Sequence, residues 1–342
     1  MNPGRRQRAL CILGMHRSGT SAVTRALNLY GAFVGEAADL LPQSPTNPEG
    51  YWERTDIKDF HDRLLAVLRR PWDTGLVLPD GWHRAPEVAP YRAELGSIVG
   101  AAFAGRALWA WKDPRTCLLL DLWKEILGES GVELAAVFVV RHPRDVAASL
   151  RRRDGFGLEK SCGIWFAHTL AALRSLEGVR TAFVGYDNFL EDPAGQVQRC
   201  AAALDIDRPE GDAAAFAAIG KSVRKELRHS QAAADALDAL PAPVRALYEL
   251  TRAAVAQPAS CDGAFFARIR ELHLAYAAHA GFFREDLEQC ELRVQAVERE
   301  RAEAVRILHA IEDSAIWRIT GPARRAADFV LGKSRPGGSP GR

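Results

Sequence analysis

The stretch ALCILGMHRSGTS, residues 9–21, decides the fold: an apolar run leads into a short basic loop bounded by glycines. Residues 9–13 have the continuous apolar character of a buried parallel strand, and a helix is predicted to begin at Gly19. A loop of this kind presents backbone N–H groups at a helix N-terminus, where the unsatisfied amides and the helix dipole both favour an anion. The stretch therefore predicts a phosphate-binding loop at the carboxyl end of a strand.

The loop departs from the nucleotide-triphosphatase pattern in the position of its cation. That pattern ends in Gly-Lys-Ser/Thr, whose lysine neutralises the outer phosphates and whose hydroxyl holds magnesium. Here Gly19 is followed by Thr20, and the basic residue of the loop, Arg17, precedes the glycine. We therefore expect the loop to bind an anionic group without the lysine of a triphosphatase.

A second motif follows another apolar run, residues 134–140, which ends in the charged sequence RHPRD, residues 141–145. Pro143 suits the first turn of a helix, and this helix would carry Ser149 about two turns after Arg141. Open α/β sheets bind their ligands at the carboxyl ends of the strands. Arg141 is therefore predicted to lie at the same edge of the sheet as the first loop.

The two motifs together resemble those of the sulfotransferase superfamily, whose donor is 3′-phosphoadenosine 5′-phosphosulfate (PAPS). In that family the first loop holds the 5′-phosphosulfate, and the arginine and serine of the second motif hold the 3′-phosphate. Segments 111–115 (WKDPR) and 186–193 (YDNFLEDP) also resemble elements of the family, and the resemblance spans about residues 8–230. It implies the following donor-binding residues: Arg17, Ser18, Gly19, Thr20 and Ser21 for the 5′ group, and Arg141 and Ser149 for the 3′-phosphate.

The resemblance further implies transfer of a sulfuryl group to an acceptor hydroxyl, with cations that meet the moving charge and a general base that takes the proton. Arg17 and Lys112 are the expected catalytic cations. Tyrosylprotein sulfotransferases share the Arg-Ser-Gly-Thr loop and take their base from a Gly-Glu after the first helix, which makes Glu36 the first candidate. The other candidates are His61 and two carboxylates of a loop that resembles the Asn-Pro-x-Gly-Tyr-x-Glu of bacterial sulfotransferases, Glu49 and Glu53.

The composition favours one large globular domain with appendages. The chain has 342 residues, 48% of them hydrophobic, and its formal net charge of +2 argues against a general nucleic-acid binder. The six cysteines include no Cys-x-x-Cys pair and the nine histidines no His-Glu-x-x-His spacing, so no metal is expected. No apolar run has the length and flanks of a signal peptide or a membrane span. The expected location is the cytoplasm, with peripheral membrane contact at most.

The alternation of strands and helices predicts an α/β fold with a mostly parallel central sheet. The resemblance implies that this fold is of the P-loop type, with three layers and a helical C-terminal extension. Strands are predicted at 9–13, 107–111, 134–140 and 180–185, and residues 36–56 are predicted to be irregular. The expected domains are a sulfotransferase-like α/β domain (1–230), a helical extension of it (231–283), a helical arm with a basic tail (284–333) and a disordered end (334–342).

The arm carries apolar residues at alternating spacings of three and four, which predicts a coiled-coil seam over 284–312. The seam consists of Leu287, Cys290, Val294, Val297, Ala304, Leu308 and Ile311, with Arg301 as a charged interruption. It would form a homodimer; an amphipathic helix packed on its own domain is the alternative. The Trp317-Arg318 segment resembles a tail of bacterial enzymes of cell-surface polysaccharide assembly, and its basic surroundings suit an anionic membrane surface.

The sequence thus predicts a PAPS-dependent sulfotransferase that acts on a hydroxyl of a cell-surface carbohydrate or glycolipid. The tail favours such an acceptor, as do tryptophan faces that suit sugars, those of Trp52, Trp72, Trp82 and Trp109. Two other classes stay open: a P-loop kinase for a small molecule, and a non-catalytic module of polysaccharide assembly. Arg224 and Arg228 are further candidates for contact with the donor or the acceptor.

Overall fold

The computed structural model describes residues 7–44, 47, 49–207, 212–222, 237–258 and 261–313. The chain divides into two compact units, Met1–Tyr276 and Ala277–Arg342. Among the described residues, no helix is both long and apolar enough to span a membrane. The predicted contacts at Arg224 and Arg228, and the Trp317-Arg318 tail, lie outside the described residues.

A parallel sheet of four strands forms the centre of the first unit. Its strands are β1 (Arg8–Leu13), β2 (Leu108–Trp111), β3 (Glu133–Val140) and β4 (Arg180–Gly185), in the order β2-β1-β3-β4. Cys11 pairs with Trp111, Leu13 with Phe138, and Val140 with Gly185. Because all the strands run in one direction, the segments that follow them emerge at the same edge of the sheet.

Both faces of the sheet are buried, because successive residues of a strand point to opposite faces. Cys11 and Phe138 belong to the apolar cluster on one face, and Leu10 and Val137 belong to the cluster on the other. A strand that is buried on both faces has few positions for polar residues, which explains the continuous apolar runs of β1 and β3. The predicted α/β class with a parallel central sheet is confirmed.

Eleven helices accompany the sheet in the described part of the chain. They are α1 (Thr20–Leu29), α2 (Thr55–Val67), α3 (Ala89–Ala102), α4 (Thr116–Glu129), α5 (Pro143–Asp154), α6 (Leu158–Ser175), α7 (Tyr186–Glu191), α8 (Pro193–Ala203), α9 (Asp212–Ser222), α10 (Ala242–Ala256) and α11 (Gly263–Asp313). The stretch 36–56, predicted to be irregular, contains the short 3-10 turn Ala37–Asp39 and the beginning of α2.

Several tryptophans pack in the core rather than at a sugar-binding surface. Trp109 stacks on Phe103 with ring centroids 3.9 Å apart, and Trp111 stacks on Trp123 at 4.3 Å. Trp82 is buried as well. The sequence-based expectation of a sugar platform therefore does not hold for Trp82 and Trp109, because both rings are buried in the apolar cluster of one face of the sheet.

The described part of the second unit is the portion of α11 from residue 277 to 313. Its seam positions Val294, Val297, Leu308 and Ile311 are 45–63% exposed. The homodimer through 284–312 stays a prediction, as do the domain boundaries at residues 230, 283 and 333.

Candidate functional site

One cleft at the carboxyl edge of the sheet gathers the predicted motifs. Its volume is about 310 Å³, and its walls include residues that directly follow β2, β3 and β4 as well as the loop after β1. The predicted site residues that line it are Arg17, Gly19, Thr20, Ser21, Lys112, Arg141 and Ser149. Ser18, a residue of the same loop, is buried, and its N–H donates to the Met15 carbonyl at 3.0 Å.

The loop after β1 has the backbone shape of an anion cradle. Arg17 and Gly19 both have positive φ angles, 70° and 91°. A non-glycine residue in this region carries backbone strain of the kind found at functional sites, and a left-handed residue beside a helix start turns successive N–H groups toward one point. The first N–H groups of α1 lack intrahelical acceptors. The loop can therefore hold an anion with its backbone alone.

The two phosphate motifs are in direct contact. Arg17 Nε donates to Ser149 Oγ at 2.8 Å, and an Arg141 Nη1 donates to the Arg17 carbonyl at 2.8 Å. Burial lowers the pKa of Arg17, and the neighbouring Arg153, Arg141 and Arg152 guanidinium groups add to the shift. Burial is also the main cause of the lowered pKa of Arg141. Cations gathered in this way repel one another, and a bound anion would relieve that repulsion.

A buried ion pair lies beside the loop. Lys112 Nζ donates to Glu53 Oε1 at 2.5 Å and to Ser21 Oγ at 3.2 Å. The Lys112 side chain is 2% exposed and that of Glu53 8%. Burial raises the pKa of Glu53, although the Lys112 ammonium opposes the shift. Lys112 therefore contacts both a carboxylate whose pKa is raised and Ser21, which follows the loop after β1.

The backbone of Glu53 is fixed by the segments around it. Its carbonyl accepts the Leu41 N–H at 2.8 Å. The next residue, Arg54, is held by Asp39 at 2.9 Å and by Asp56 at 2.7 Å. The Tyr51 carbonyl accepts the Ser21 hydroxyl at 3.1 Å. The loop that resembles Asn-Pro-x-Gly-Tyr-x-Glu is thereby anchored to both α1 and α2.

Glu36 does not lie in the cleft, contrary to the expectation from the Gly-Glu motif. Its side chain is 73% exposed, and its nearest cation is Arg106, at 3.4 Å. The reason is local: Glu36 caps the turn Ala37–Asp39, with its N–H donating to Asp39 Oδ2 at 3.0 Å, and this cap holds it at the surface. The same turn supports the cleft indirectly, because Asp39 also binds Arg54 next to Glu53.

The other candidates for the base differ in position. Glu49 lines the cleft and is paired with Arg25. His61 is fully buried; the indole N–H of Trp123 donates to its Nε2 at 2.9 Å, and its Nδ1 is 3.0 Å from Asp113 Oδ2. Because an indole nitrogen can only donate, Nε2 is the acceptor and Nδ1 carries the proton. Both ring nitrogens of His61 are thus engaged away from the loop.

No protein-family model and no curated protein sequence matches the chain. Solved structures do match. The sulfotransferase STF1 from Mycobacterium tuberculosis H37Rv is 15% identical with a TM-score of 0.38, over 62% of this chain and 71% of that one. The sulfotransferase domain from the curacin biosynthetic pathway is 15% identical with a TM-score of 0.37, over 74% and 99%. The sulfotransferase domain from the Synechococcus PCC 7002 olefin synthase is 18% identical with a TM-score of 0.36, over 80% and 98%.

All three of these structures are sulfotransferases. Identities of 15–18% do not carry a residue's role from one chain to another.

Proposed function

We propose that this protein is a sulfotransferase that moves the sulfuryl group of PAPS to a hydroxyl of an acceptor. The observation that carries the proposal is the convergence of a backbone anion cradle, a cluster of guanidinium groups and a Lys112–Glu53 pair in one cleft. In this assignment the loop from Arg17 to Ser21 holds the 5′-phosphosulfate. Arg141 and Ser149 hold the 3′-phosphate.

The charges of the cleft suit this donor. PAPS carries a phosphosulfate and a second phosphate, and the two anion sites adjoin through the hydrogen bond from Arg17 to Ser149. A buried guanidinium that donates two parallel hydrogen bonds is the strongest partner for a phosphate. Because arginine and lysine side chains supply the positive charge, the proposed transfer uses no bridging metal.

In the proposed reaction the acceptor oxygen attacks sulfur while the bond from sulfur to the 5′-phosphate oxygen breaks. The acceptor proton passes to Glu53, whose raised pKa suits a general base. Lys112, which contacts Ser21 of the loop, stabilises the charge that builds on the transferred group and on the leaving phosphate. The products are adenosine 3′,5′-bisphosphate (PAP) and the sulfated acceptor. Glu53 replaces Glu36 as the proposed base.

We propose a carbohydrate or glycolipid hydroxyl as the acceptor. Trp52, the neighbour of Glu53, lines the cleft, and its indole N–H donates to the Glu49 carbonyl at 3.0 Å. Its φ of 56° places its backbone in the left-handed region, so the loop carries backbone strain at the residue that precedes Glu53. An aromatic face with a polar edge suits the stacking of a sugar ring.

Ligand-dependent thermal stability separates the proposed function from its two alternatives. We expect PAP in magnesium-free buffer to raise the unfolding temperature, because a ligand at 100 times its Kd adds about 2.7 kcal/mol to the free energy of unfolding. A small-molecule kinase would instead respond to ATP with magnesium. A non-catalytic module of polysaccharide assembly would respond to neither, and this result would contradict the proposal.

The variant Arg141→Ala should weaken PAP by about 2–3 kcal/mol, the scale of hydrogen bonds to a charged group. Adenosine 5′-phosphate (AMP) should bind almost as before, because it lacks the 3′-phosphate that Arg141 would hold. Titration calorimetry with both nucleotides measures the difference. Arg151→Ala is the matched control, since Arg151 is an exposed arginine of α5, the helix that follows Arg141. Equal losses for PAP and AMP would contradict the assignment of Arg141 to the 3′-phosphate.

A further inference from the structure

The ring of Tyr186 lies directly against the anion loop. Tyr186 is the first residue of α7, follows β4 and is 8% exposed. A Cβ atom placed on Gly19 would lie 2.1 Å from Cδ2 of this ring and 2.2 Å from Cε2. The loop and the ring are therefore in such close contact that only glycine fits at position 19.

The same ring contacts Arg141. The guanidinium carbon lies over the Tyr186 ring, 4.4 Å from its centroid, which is the geometry of a cation–π contact. Arg141 also donates to the Arg17 carbonyl of the loop at 2.8 Å. A ring at the end of β4, a guanidinium at the end of β3 and the loop at the end of β1 thus form one continuous set of contacts across three adjacent strands.

We infer that Tyr186 is a specificity-determining residue that fixes the position of Arg141 relative to the anion loop. The site would thereby select nucleotides that carry both a 5′ and a 3′ phosphate. The inference rests on the proposed function and adds to it the residue that distinguishes PAPS from a donor that lacks the 3′-phosphate. A guanidinium on a long side chain has several rotamers, and the flat face of Tyr186 restricts them before the ligand arrives.

The test compares PAP with AMP in three proteins: the wild type, Tyr186→Phe and Tyr186→Leu. AMP reports on the anion loop alone, and the ratio of the two Kd values from calorimetry reports on the 3′ site. Tyr186→Phe keeps the ring and should keep the wild-type ratio. Tyr186→Leu should reduce the preference for PAP about tenfold, within the range of a desolvated cation–π contact, with a smaller change in AMP affinity.

Two results would overturn the inference. Equal losses of PAP and AMP in Tyr186→Leu would mean that the ring only supports the loop. A loss in Tyr186→Phe as large as in Tyr186→Leu would mean that the hydroxyl contacts the ligand and the ring does not set the geometry. A wild-type protein that binds neither nucleotide would instead refute the proposed function, so the two failures are distinguishable.

A variant of the partner residue keeps the test usable if Tyr186→Leu does not fold. Arg141→Lys keeps the positive charge but loses the planar group that lies on the ring. We expect it to lower the preference for PAP in a protein that retains Tyr186, because an ammonium group cannot lie flat on the ring as the guanidinium does. An unchanged preference in Arg141→Lys would contradict the role of the stacked geometry.

Discussion

The variant Glu53→Gln should lose turnover by about 10²–10⁴-fold, the range that a general base supplies. Glutamine keeps the shape of the side chain but cannot take the acceptor proton. The affinity for PAP should stay the same or rise. The substitution removes the carboxylate that pairs with the buried Lys112 ammonium, so a bound anion stabilises this charge more than in the wild type. The measurement is sulfuryl transfer from PAPS to a panel of 4-nitrophenyl glycosides, together with PAP binding by calorimetry.

Glu36→Gln is the matched control for this prediction, since it makes the same chemical change on a carboxylate outside the cleft. It should keep near-normal turnover. Glu49→Gln tests the remaining carboxylate of the cleft, which is paired with Arg25. Full activity in Glu53→Gln would contradict the assignment of the base. The contradiction would be strongest if Glu36→Gln lost activity in the same assay.

The variant Asp113→Asn should lower the free energy of unfolding by about 3–5 kcal/mol, the cost of breaking a buried ion pair. Asp113 is fully buried, and its neighbours Lys112 and Pro114 line the cleft. Its carboxylate accepts from Arg115 Nη1 at 3.0 Å, from the Arg115 N–H at 2.9 Å and from His61 Nδ1 at 3.0 Å. Urea denaturation measures the loss. Asp59→Asn, on a carboxylate that is 50% exposed, should change stability by no more than about 0.5 kcal/mol.

The pH dependence of this difference identifies its cause. Burial alone would raise the pKa of Asp113, but the hydrogen bond from His61 and the Arg115 guanidinium hold it well below its ordinary value. A carboxylate with a depressed pKa stabilises the folded state above the unfolded pKa, about 3.9, and loses this contribution as the pH falls further. The gap between wild type and Asp113→Asn should therefore be full at pH 7 and shrink below about pH 4. A constant gap would indicate a packing defect rather than a lost charge interaction.

The choice between Glu36 and Glu53 shows where sequence reasoning stops. Both carboxylates occur in motifs that resemble those of sulfotransferases, and both come after the anion loop. Which one reaches the loop depends on contacts between distant residues, chiefly Lys112 with Glu53 and Arg54 with Asp39. The capping role that holds Glu36 at the surface depends on the turn that follows it. Residue types and spacing carry no information on such pairings.

The tryptophans give a second example. Their number and their spread along the chain suit a sugar-binding surface, but Trp109 stacks on Phe103 in the core. Trp52 does reach the cleft, because its loop is anchored to Ser21 through the Tyr51 carbonyl. A tryptophan contributes equally to the composition of the sequence whether it lies in the core or at the cleft. Only the packing of the segments around it distinguishes the two positions.

The sequence by itself determined the strands, the anion loop and the class of fold. These features are local: a strand buried on both faces is apolar nearly throughout, and a left-handed position at a helix start favours a glycine such as Gly19. The tertiary structure alone decided which distant residues meet. The parallel pairing of β1 with β3 brings Arg17 within 2.8 Å of Ser149, 132 positions away, and the adjacent β4 brings Tyr186 onto Gly19. Such contacts arise from the order of the strands in the sheet, which no single segment encodes.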